Sequence, residues 1–232
     1  MRIIEQTFPR LPPHWGQSGT PRSAGVHLTD LIRSYLESIE PKKKPSAPGG
    51  WGGGFTDLDS TCELGFCWER ALEMALGMRL DYSTQPDEVL YEWERLQKKY
   101  AQMVRPGEVV KDGVACSLDG FLPLDREVVE TKLVWQSSKN FDLKSKNRRK
   151  WLMQAMGYCK VMGVTTVNFL VCFVMADWSP QAQGRGERHT GPLVREFQVV
   201  FEQEEIDNNW KLLIGHGKSK GMFKNKKEGK KK

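Results

Sequence analysis

At 232 residues the chain is long enough to bury a sizeable core as one domain with extensions, and it carries a net charge of +6. No apolar stretch reaches the roughly 18 residues of a membrane span, and the chain opens on no basic-then-apolar leader, so the expectation is a cytoplasmic protein without a membrane partner. Cys62, Cys67, Cys116, Cys159 and Cys172 are an odd number and read as reduced thiols, while His14, His27, His189 and His216 lack the paired spacing of a zinc site.

Residues 1–24 are irregular, broken by Pro9, Pro12, Pro13 and Pro21. Thr29 or Asp30 starts a short helix to about Ser38, with Leu31, Ile32 and Leu36 on one side. A Gly- and Pro-rich loop around Trp51 closes an N-terminal arm at residue 55. The body, 56–216, then gives helices at about 60–78 and 86–103, strands at 107–119 and 127–135, and a helix at 147–163. A strand at 166–176 follows, apolar from Val167 to Ala176 apart from Asn168; after a loop at 179–191 come a strand at 193–201 and a helix at 203–214. Residues 217–232 read as a disordered Lys-rich tail. From Lys218 onward eight lysines face one glutamate, which leaves residues 1–217 near −1. The body is therefore not basic overall, and its local cationic cluster is Lys139, Lys144, Lys146, Arg148, Arg149 and Lys150.

The segment from Asp119 to Lys132 carries the chemistry. Along a strand, Glu130 and Lys132 fall on one face with Thr131 on the other. A hairpin turning at about Leu124-Asp125 sets Asp119 opposite Glu130, so that two carboxylates can grip one cation. Hard oxygen ligands of this kind suit Mg²⁺ or Mn²⁺. A solvent-facing hairpin also carries Glu-x-Lys readily. Here, however, Val128, Val129, Leu133, Val134 and Trp135 make the strand apolar on both sides, as in a covered central strand where unpaired charge is costly.

More of the chain fits one pattern. Ser117-Leu118-Asp119-Gly120 followed by Glu130-Thr131-Lys132 resembles the core of the PD-(D/E)XK nucleases, in particular the phage-type exonuclease branch with lambda exonuclease and the YqaJ-like and RecB-like proteins; Leu118 stands where the family name has proline. The stretch Leu64 to Leu72 is similar to the helix that carries a further acidic residue in this branch, which picks out Glu69. Gln154 and Tyr158 look like the Gln-x-x-x-Tyr motif of the RecB-like and related nucleases, and their spacing of about one helical turn puts both on one face. The resemblance spans residues 64–158 and implies an α/β fold, the restriction-endonuclease-like α-β-β-β-α-β mixed sheet flanked by helices. The third strand before the 147–163 helix requires the 107–119 region to split in two.

The resemblance further implies a Mg²⁺-dependent DNA nuclease, more an exonuclease on linear ends than an endonuclease. Asp119, Glu130, Glu69 and the Thr131 carbonyl would ligate metal, Lys132 would orient the attacking water, and Gln154 and Tyr158 would steady the phosphate. No cysteine follows Cys172, which argues against the iron–sulfur cluster of some RecB-like relatives. Arg22, Ser23, His27 and Thr29 supply the chemistry with which this branch holds a 5′-phosphate. Lys139, Lys146, Arg148 and Arg149 are expected to meet the DNA backbone. A single-strand annealing or recombination partner and a homo-oligomer are further expectations of the branch. The competing class is a non-catalytic nucleic-acid-binding or DNA-end-binding protein that retains the fold.

Overall fold

The computed structural model describes residues 25–40, 87–135, 137–173 and 193–223. The predicted helix at 60–78 with Glu69, the loop around Trp51, the segment with Arg22 and Ser23, and the loop at 179–191 lie outside those residues.

A two-residue strand, β1 (Val26–His27), runs directly into helix α1 (Leu28–Ile39). Pairing with a neighbouring strand keeps His27 extended, so His27, not Thr29 or Asp30, takes the N-cap position. Helix α2 (Asp87–Tyr100) lies within the predicted 86–103 range. The 107–119 region does split, into β2 (Glu108–Lys111) and β3 (Val114–Ser117). Asp112 and Gly113 between them have φ of 51° and 77°, the left-handed pair of a tight hairpin turn, which only glycine adopts without strain. Strand β4 (Gly120–Leu122) and strand β5 (Glu127–Val134) follow, then α3 (Arg149–Met162), β6 (Thr166–Phe173), β7 (Leu193–Val200) and α4 (Gln203–Ser219).

The strands form two mixed sheets, β1-β3-β2 and β4-β5-β6-β7, flanked by helices. The result is a mixed α/β fold in which β2–β5 precede α3 and β6 follows it directly. The chain crosses from the first sheet to the second at Leu118-Asp119. Gly120 pairs with Val129, Phe121 with Val128 and Leu122 with Glu127, so the hairpin is centred on Leu124-Asp125 and its register carries Asp119 toward Glu130. Strands β5 and β6 are parallel, and a parallel pair needs a crossover, here α3.

Strand β5 is covered on both faces. Val128 and Val134 join the main core with Val167, Phe169, Val171 and Phe173 under α1, α3 and α4, whereas Val129 joins Leu122, Leu170 and Tyr100 under α2. Trp135 differs from the expectation, since the strand stops at Val134 and this indole is 54% exposed. Helix α1 is wedged into the main core by Leu28, Leu31 and Ile32, each 1% exposed or less; full burial of such a side chain is worth about 1.5–3 kcal/mol. Its seat is built from two glycines. A Cβ on Gly157 of α3 would come within 2.4 Å of Leu28, and one on Gly217 of α4 within 2.6 Å of Leu31.

The second contact explains why α4 outlasts its predicted end at 214. Gly215 and Gly217 look like helix breakers in sequence, but the helix is held to Ser219 by packing on α1, and Phe223 folds back over Gly217. Residues 217–223 of the expected tail are thus part of the folded body, while 224–232 lie outside the described residues. No helix among the described residues is long and apolar enough to cross a membrane.

Candidate active site

The β5-α3-β6 crossover assembles the site. A helix that joins two parallel strands returns against their direction, so its first turns lie beside the end of β5 and its last turns beside the start. Trp151, Gln154 and Tyr158 share one face of α3, because steps of three and four residues stack on a helix. That face meets the side of β5 bearing Glu130 and Lys132.

Glu130 is buried at 1% exposure, and the Lys132 ammonium lies in direct contact with its carboxylate. Asp119 sits at the bend before β4, where its Oδ2 accepts from the Thr131 backbone N–H at 2.8 Å and from the Thr131 hydroxyl at 3.0 Å. This locks the Asp119 carboxylate to the backbone of the Glu-Thr-Lys strand. From α3, Gln154 Nε2 donates to the Tyr158 hydroxyl at 2.8 Å. Burial first, then the Glu130 and Asp119 charges, push the buried Tyr158 phenol well above its ordinary range, against the opposing effect of the Gln154 bond. Tyr158 therefore stays a neutral hydroxyl within the field of both carboxylates.

The five residues predicted from the two motifs thus converge: Asp119, Glu130 and Lys132 at the hairpin, Gln154 and Tyr158 on the helix facing it. Glu69 lies outside the described residues, and among those described no three His, Cys, Asp or Glu side chains come together. The Asp119 and Glu130 carboxylates offer hard oxygens, which fits a Mg²⁺ that keeps several of its waters.

The expected phosphate-binding residues divide. Lys139 is exposed on a short turn after β5. Lys146 and Arg149 reach Glu40 at the end of α1, at 3.2 and 4.0 Å, but both are exposed, and such surface pairs are weak enough for a phosphate to displace. Arg148 is placed differently: its guanidinium carbon lies 4.4 Å from the centre of the Trp151 ring and 5.4 Å from that of Phe141. Thr29 sits half-buried in the first turn of α1, and His27 is buried with Nδ1 3.8 Å from Glu108 rather than turned to a ligand.

Trp151 was not among the residues that the sequence singled out. It stands three residues before Gln154, and that spacing was the available signal.

No family model matches the chain, and no curated protein does. Among solved structures, it is similar to a phage related exonuclease from Haemophilus somnus 129PT, with 12% identity, 84% of this chain and 92% of that one covered, and a TM-score of 0.42. It is also similar to an alkaline exonuclease from Laribacter hongkongensis, with 10% identity, 84% and 87% covered, and a TM-score of 0.37. A third is the crystal structure of SSO0001, with 13% identity, 85% and 79% covered, and a TM-score of 0.40. At these identities and scores the likeness carries no functional weight, and the site rests on its own geometry.

Proposed function

We propose that the protein is a Mg²⁺-dependent DNA nuclease, an exonuclease of phage recombination or repair type acting on linear ends. The observation that supports this reading is the convergence, on a strand covered on both faces, of the contacting Glu130 and Lys132 with Asp119 and with a Tyr158 that feels both acids. Burying Glu130 beside two further charged groups is expensive unless it serves a purpose beyond packing.

Asp119 and Glu130, with the Thr131 carbonyl and Glu69, are the groups that would hold Mg²⁺ or Mn²⁺. When bound, the ion supplies an acidified water and offsets charge on the phosphoryl oxygens. Lys132 orients the attacking water by donating from its ammonium. Tyr158, kept neutral by its surroundings, donates its hydroxyl to a phosphate oxygen, and Gln154 fixes the direction of that hydroxyl. Lys139, Lys146, Arg148 and Arg149, with Arg22, Ser23 and Thr29 of the arm, meet the substrate's phosphates. Such contacts give affinity without sequence choice and weaken with salt.

The test is to incubate the purified protein with 5′-labelled linear DNA and with closed circular DNA, in Mg²⁺, Mn²⁺ or EDTA, beside Glu130→Ala and Lys132→Ala. Cleavage of linear DNA alone, abolished by EDTA and by either substitution, is expected. Cleavage of circles would make the protein an endonuclease. Metal-independent binding without cleavage would make it a DNA-end-binding protein that keeps the fold.

A further inference from the structure

We propose that Trp151 is a positioning residue for Lys132, a role that rests on the nuclease reading above. The Lys132 ammonium lies 5.8 Å from the centre of the Trp151 ring, a contact separate from the one it makes with Glu130. A lysine has four rotatable bonds and a strongly hydrated head, so a charge partner two residues away on the same strand sets its proximity but not its direction. The indole adds a second point of attachment. Being neutral, the ring attracts a cation without cancelling its charge or consuming its N–H donors, and the ammonium remains able to orient a water.

The ring is itself fixed. Phe169, the register partner of Glu130 on β6, stacks on Trp151 with centroids 6.5 Å apart and planes at 26°, and Phe141 packs at 6.2 Å. Arg148 lies over the same indole at 4.4 Å, so one ring carries both the reacting lysine and a cation expected at the DNA backbone. Trp151 precedes Gln154 and Tyr158 on one helical face, which makes that face a run of three groups aimed at β5 rather than two.

The experiment combines a spectroscopic signature with kinetics. In protein labelled with ¹³C at lysine Cε, the Lys132 methylene, assigned by its loss in Lys132→Arg, is expected to show an upfield ring-current shift. That shift should disappear in Trp151→Leu and persist in part in Trp151→Phe. With DNA cleavage as the readout, kcat should fall about tenfold in Trp151→Leu and no more than about threefold in Trp151→Phe, with KM within about twofold of wild type. An unshifted Lys132 signal in the wild type or an undiminished kcat in Trp151→Leu overturns the positioning role alone. Absence of cleavage by the wild type with every divalent ion overturns the nuclease reading and the role with it. Should Trp151→Leu fail to fold, the wild-type shift and the Trp151→Phe kinetics decide.

Discussion

The β4-β5-β6-β7 sheet carries a carboxylate cluster on each face, and the two are balanced differently. On the α2 face, Glu196 accepts from Lys99 at 2.6 Å, Tyr100 at 2.8 Å and Arg95 at 3.0 Å, while Glu127 accepts from Asn168 and from Gln198. Two acids meet two cations there. Burial alone would raise Glu196, yet the bonds from Lys99, Tyr100 and Arg95 hold it below the usual carboxylate range. On the α3 face Lys132 contacts Glu130, while Asp119 is held by the neutral N–H and hydroxyl of Thr131. The first cluster fastens α2 to the sheet; in the second, a buried Glu130 contacts Lys132 and a half-buried Asp119 is tied to Thr131. Glu196 is spent on three donors that fasten a helix, whereas the acids of the second cluster are the ones proposed to hold the metal.

That contrast is broken or sharpened most directly by removing one acid from each face. Glu130→Ala should lower cleavage about 10³-fold or more, measured on labelled linear DNA, and by stranding Lys132 alone should cost less stability than stranding the three donors of Glu196. Glu196→Ala should do the reverse. It strands Lys99, Tyr100 and Arg95 and should cost about 2–4 kcal/mol in urea unfolding, while kcat per folded molecule stays within about threefold. Equal loss of stability from the two substitutions would end the distinction between the faces.

The parts of the site that were legible in sequence are those set by local periodicity. The alternation along β5 put Glu130 and Lys132 on one side, the turn at Leu124-Asp125 fixed the hairpin register, and the step from Gln154 to Tyr158 fixed a shared helical face. What escaped depends on contacts between distant segments. A two-residue strand such as β1 has no period to detect, and it exists because β3 offers a free edge to Val26 and His27. Asn168 reads as an interruption of an apolar strand, whereas Lys99 and Glu127 hold both ends of its amide. The length of α4 past Gly215 was likewise decided by α1.

A smaller effect joins packing to the active face. Gly157→Ala places a methyl against Leu28, and α3 must move away from α1 to admit it. The expected cost is about 1–3 kcal/mol of stability by chemical denaturation. Because Gln154 and Tyr158 ride on the same helix, cleavage should fall as well, whereas Gly163→Ala at the end of α3, where a Cβ meets nothing within 4 Å but φ is 67°, should cost stability with little change in kcat. Matching losses of activity in both variants would show that the α1 contact does not set the position of the catalytic face.

The smallest effect separates the faces by pH. Each holds a phenol raised above its ordinary value of 10: Tyr100 by burial and then by Glu196, Tyr158 by burial and then by Glu130 and Asp119. The folded state binds these protons more tightly than the unfolded chain does. Their contribution is therefore complete below pH 10 and is lost as pH rises above it, at up to about 1.4 kcal/mol per pH unit for each group. Thermal unfolding between pH 9 and about 10.5 should show a falling midpoint in the wild type, and Tyr100→Phe and Tyr158→Phe should each remove part of that slope. Only Tyr158→Phe should also depress cleavage, since its hydroxyl is the one proposed to donate to the phosphate while that of Tyr100 is committed to Glu196. A loss of cleavage in Tyr100→Phe equal to that in Tyr158→Phe would mean that the two faces of β5 act as one site.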